Sequence, residues 1–143
     1  MPEFQLNRVL VIQKGEPLPK FAPPVITILS PPPGFVARLK TPFDCELRVE
    51  VPEGGRMPET VEVSLVRGNA PLMGAGPAVP TGRTSHATTL KVRVDPPPKP
   101  GDCEILAIAL NTIVVEPKAP GAKPIDHYTR TPSRSVKIHV KAR

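Results

Sequence analysis

From residue 25 onward the chain alternates apolar and polar side chains with a period of two, in short pieces. The segment 45–51 (CELRVEV) is the clearest. Cys45, Leu47, Val49 and Val51 fall on one side, and Glu46, Arg48 and Glu50 on the other. Such alternation predicts a strand with one buried face. The same pattern predicts strands at 61–65 (Val61, Val63 and Leu65 inward), 88–94 (Leu90, Val92 and Val94 inward) and 136–140 (Val136, Ile138 and Val140 inward). Residues 25–29 (VITIL) form a β-branched run stopped by Pro31-Pro32-Pro33-Gly34, and 35–39 reads as a second short edge piece. The segment 103–110 (CEILAIAL) starts amphipathic and becomes apolar on both faces, as a doubly covered strand would. Residues 113–115 are a short additional candidate, and 8–13 (RVLVIQ) a strand in an otherwise extended N-terminal segment. No window repeats apolar residues at i, i+3, i+4 and i+7 over three turns, so little helix is expected.

The punctuation between these pieces is proline. There are 22 prolines in 143 residues, about three times ordinary usage. They cluster at 17–24, 31–33, 96–100 and 117–124 and leave the alternating pieces nearly free. Proline lacks an N–H and interrupts helices and central strands, so this spacing suits short strands joined by stiff loops. Two stretches, 66–87 and 118–132, read as long loops. The expected fold class is therefore all-β, a sandwich or barrel of about seven strands. The domain reading is an arm and linker over 1–24 followed by one folded unit over 25–143. At this length no metal or disulfide framework is needed to fold.

Three pieces carry a resemblance: VITILSP at 25–31, GDCEILAIA at 101–109 and SVKIHV at 135–140. Together they resemble bacterial and phage immunoglobulin-like domains. In those, a V-T-I-x-S-P strand precedes a glycine turn, and a G-x-Y-x-L-x-A-x-A strand precedes a terminal S-V-x-I-x-V strand. The resemblance covers 25–143 and implies an Ig-like antiparallel β-sandwich with an extended N-terminal arm. Cys103 stands where the pattern favours Tyr, so the hydroxyl that ties a tyrosine corner is missing. The 61–65 strand also lacks the core Trp of antibody domains. Cys45 and Cys103 lie on the two strands that carry the inter-sheet disulfide of antibody-type domains, and parity turns both inward. A bridge would close a loop of about 59 residues, worth about 4 kcal/mol on chain entropy. Two buried free thiols are the other reading.

The net charge is +6, but the 19 Lys and Arg form no run or stripe, which argues against nucleic acid. Aromatic residues make up 3%, leaving few stacking platforms for bases or sugar rings. The first 15 residues lack a signal-peptide pattern and no stretch reaches membrane-span length, so a virion or cytoplasmic location without membrane attachment is expected. His86, His127 and His139 have no second ligand at metal spacing. The glycines of GAGPAV at 74–79 lack both the third glycine and the strand–helix setting of a phosphate loop. No cofactor, metal or catalytic residue is expected. What remains is surface. Arg8, Val9, Leu10, Val11 and Ile12 in the arm, Leu72 and Met73 in the first long loop, and His127 and Tyr128 in the second are the expected contacts, since loops on rigid scaffolds carry binding. The preferred expectation is a non-catalytic structural module docking on a protein assembly, either self or capsid or tail subunits, with the arm adding a strand to a neighbour's sheet. A carbohydrate- or cell-surface adhesion module and an accessory domain of an enzyme complex are the alternatives.

Overall fold

The computed structural model describes residues 5–142 apart from 69, 77 and 85, and only the backbone of Met73. Among the described residues eleven strands follow in order: β1 (Leu10–Gln13), β2 (Val25–Ser30), β3 (Phe35–Arg38), β4 (Phe43–Glu50), β5 (Thr60–Arg67), β6 (Ala70–Gly74), β7 (Val79–Arg83), β8 (Ala87–Val94), β9 (Gly101–Glu116), β10 (Ile125–Pro132) and β11 (Val136–Lys141). They form two sheets. One runs β3-β11-β9-β5-β6, with β1 and β10 also on β9, and the other runs β2-β4-β8-β7. The fold is an all-β sandwich. With β1 and β10 set aside, the strands lettered A, A′, B, C, C′, D, E, F and G in chain order give sheets A-B-E-D and A′-G-F-C-C′, the connectivity of an immunoglobulin-type sandwich.

The alternation becomes the core directly. Cys45, Leu47 and Val49 of β4, Leu90, Val92 and Val94 of β8, and Ile105, Ala107 and Ala109 of β9 are each no more than 1% exposed. Val61, Val63 and Leu65 of β5 and Val136, Ile138 and Val140 of β11 complete the cluster. The chain changes sheets between β2 and β3. β2 pairs antiparallel with β4, and β3 pairs parallel with β11.

Two features depart from the sequence reading. The stretches 66–87 and 118–132, read as loops, contain β6, β7 and β10. All three are edge strands, where a proline whose N–H would face solvent costs no ladder bond. The arm is also not separable from the sandwich. Leu6 is 4% exposed and belongs to the core cluster. β1 lies parallel to β9 of its own chain, from Leu10 beside Ile113 to Gln13 beside Glu116. One edge of the arm's strand is thus paired within its own chain.

Candidate interaction surface

β9 is 16 residues long, and the sandwich uses only its first ten. Beyond Leu110 it continues with β1 on one side and β10 on the other. The result is a three-stranded tab projecting from the sandwich, ordered β1-β9-β10. Cross-strand rows fix its faces. Val11, Val114 and Asp126 lie side by side, with Thr112 and Tyr128 in the next row of the same face. Leu10, Ile113 and His127, then Ile12, Val115 and Ile125, form the rows of the opposite face.

A polar junction joins tab to sandwich. Glu59, only 3% exposed, precedes β5. Its N–H donates to the Leu110 carbonyl at 3.0 Å, and its own carbonyl accepts the Leu6 N–H at 2.7 Å. Its carboxylate accepts the Thr112 N–H at 2.5 Å and lies 3.4 Å from the Arg56 guanidinium. Arg56 in turn donates to the Arg8 carbonyl, and the Asn7 amide donates to the Met57 carbonyl at 2.8 Å. Between the first residue of β5 and the first residue of β1 along β9, one carboxylate thus fills the gap in the ladder. A buried charge is tolerated only when so paired and bonded. Sequence reasoning missed Glu59, because a single Glu after Pro58 carries no periodic signal.

The linker returns beneath the Ile113 face of the tab. Ala22 bridges to Gly55, and its N–H donates to the Gly54 carbonyl at 3.0 Å. A side chain at Gly55 would sit 2.8 Å from Val51 and 3.0 Å from the Ala22 carbonyl, so glycine permits this approach. A cleft of about 340 Å³ remains between linker and tab, lined among others by Phe21, Arg56, Asn111 and Thr131. Asn111 Oδ1 is buried there without a donor among the described residues.

On the opposite face of the tab Val11 is 47% exposed and Tyr128 54%, while Thr112 beside Tyr128 is buried and Ile125, on the linker side, reaches 59%. The Tyr128 hydroxyl donates to Asp126 Oδ2 at 2.9 Å, and the Arg130 guanidinium stands 5.8 Å from the Tyr128 ring centre. The hydrogen bond to Asp126, and then its charge, raise the phenol above its ordinary value of 10.0. The structure therefore gathers Arg8, Val9, Leu10, Val11, Ile12, His127 and Tyr128 into one region. Leu72 is elsewhere. It lies on β6 at the far side of β5 and packs partly against the core. The Met73 side chain lies outside the described residues.

The cysteines are both buried, as parity requires, and both are free thiols, so the bridge is not formed. Burial, with help from the neighbouring Glu46 charge, pushes Cys45 up to about 11. Burial also raises Cys103, against the lowering influence of Arg67. Thiols held protonated in this way are poor nucleophiles for exchange. Among the described residues no three His, Cys, Asp or Glu side chains gather as a metal site, and no helix is long and apolar enough to cross a membrane. A groove of about 420 Å³ on the outer face of the larger sheet brings Arg67, Lys137 and His139 beside Asp102 and Glu104. His139 Nδ1 lies 2.7 Å from Asp102 Oδ1. Its charges are of both signs, which favours no single class of charged ligand. No protein-family model matches the chain, and no curated protein matches its sequence.

Proposed function

We propose that this chain is a non-catalytic structural module that docks on a larger protein assembly through its tab. We further propose that the assembly is a bacteriophage virion, as head decoration or tail component. The observation that carries the docking reading is the exposure of Val11 and Tyr128, about half each, on a tab outside the core cluster of the sandwich. Exposed apolar groups gathered on a projecting element mark contact sites rather than core. The virion reading rests on the resemblance of 25–31, 101–109 and 135–140 to phage immunoglobulin-like domains. The test is incorporation into particles in the native host. The wild-type chain is expected to co-sediment with the particles. A Val11→Asp/Tyr128→Ala variant, with an unchanged far-UV spectrum, is expected to stay in the supernatant. Equal co-sedimentation of the variant, or no particle association of the wild type, overturns the reading.

A further inference from the structure

Among the described residues six strands end a hydrogen-bonding path: β1, β2, β3, β6, β7 and β10. Unpaired strand edges invite pairing with another chain unless something blunts them. β1 and β3 are four residues long. β2, β6 and β7 each carry a register shift against their partner, which bends the edge away from a second strand. β10 has neither defence. It is eight residues long, keeps an unbroken register with β9 from Ile125 to Pro132, and is exposed along nearly its whole length.

Which of its backbone groups are free follows from the ladder. The Ser133 N–H donates to the Ala107 carbonyl at 2.7 Å, in step with the register of β10 on β9. Antiparallel strands alternate residues that bond one neighbour with residues that face the other way. Thr131, Thr129, His127 and Ile125 therefore bond β9, while Asp126, Tyr128 and Arg130 present their N–H and C=O to the outside. Their side chains share one face, as the Asp126–Tyr128 bond and the Arg130–Tyr128 contact show.

We propose that β10 pairs antiparallel with β10 of a second copy of this chain, about a two-fold axis at Tyr128. In that register Tyr128 meets its own counterpart, and Asp126 of each copy faces Arg130 of the other. Each of these residues offers the outward N–H and C=O that a hydrogen-bonded antiparallel pair requires. Opposite charges directly across an antiparallel pair stabilise it, and like charges destabilise it. The ends of the segment fit as well. Pro132 of one copy falls opposite Pro124 of the other, so pairing stops where neither residue has an N–H to give. The occupant is a second copy because the strand is its own complement in charge and in its proline ends. This goes beyond docking on an assembly, since it requires only the purified chain.

Sedimentation equilibrium on the full chain tests it. The wild type is expected to show a concentration-dependent monomer–dimer equilibrium. Asp126→Arg places Arg opposite Arg in both symmetric contacts, and Arg130→Asp places Asp opposite Asp. Each is expected to weaken self-association at least about tenfold. Mixed together, the two variants carry Arg at both positions and Asp at both positions, and are expected to form a heterodimer. Tyr128→Pro removes the outward N–H, and with it the phenol bonded to Asp126, so it is expected to abolish dimerisation while leaving the far-UV spectrum of the monomer. A wild type that stays monomeric up to about 1 mM, the weak end of specific association, overturns the proposal. So does a charge variant that associates like the wild type, or a mixture no stronger than its parts. A larger assembly that binds the tab in monomeric form would leave the docking reading intact while this one fails.

Discussion

Glu59 and Cys45 show how much single buried groups decide here. Glu59 bonds the Thr112 amide and pairs with Arg56, and both would be left uncompensated by truncation. Removing one member of a buried pair is costly, so Glu59→Ala is expected to lower stability by about 3 kcal/mol in urea titrations. Glu59→Gln keeps an acceptor for Thr112 and is expected to lose less. A loss under about 0.5 kcal/mol for the alanine variant would mean the junction holds nothing. Cys45 makes stability depend on alkaline pH. Its thiol keeps its proton to about 11 when folded and to 9.0 when exposed, so the folded state binds more protons between those values. The burial contribution is intact below pH 9.0 and declines as pH rises toward 11. Urea titrations at rising pH are expected to show this fall, and Cys45→Ala to reduce it, the remainder coming from the raised Cys103.

Among elements, β1 and its approach carry the largest change from expectation. Leu6 is packed in the core whereas Val11 is half exposed on the tab. Leu6→Ala is expected to cost about 2–3 kcal/mol, and Val11→Ala to stay within about 0.5 kcal/mol, by chemical denaturation. Equal effects would return the arm to the status of an appendage. The strands legible in the sequence were those with one buried face, because burial on one side imposes the period of two. β4, β8 and β11 are of this kind. β10 was not legible. IDHYTRTP is exposed on both faces, so no apolar repeat marks it, and the prolines that bound it read as loop. β6 and β7 were hidden by Pro71, Gly74, Pro80 and Gly82 for the same reason. The site was half legible. Residues 8–12 and 127–128 each read as exposed contact segments in the sequence, but their meeting on β9 depends on a parallel pairing that no local pattern encodes.

At the scale of the molecule, sandwich and tab share one strand but not one core. Ile105, Ala107 and Ala109 are sealed between the sheets, while Ile113 and Val115 are only half-buried. Amides that open only with global unfolding are expected in the first part of β9, and amides that open locally in the second. Hydrogen exchange should therefore slow by orders of magnitude from Val115 back to Ile105; a flat profile would make the tab as stable as the sandwich. The continuity of β9 also gives the molecule a mechanical character. Its 16 residues span about 50 Å from the tip of the tab to the far rim of the sandwich. A pull applied at the tip travels along the axis of a core strand, and the bonds to β5 and β11 on either side resist it together in shear rather than one at a time. Whatever grips the tab has its load carried straight into the most deeply buried part of the protein.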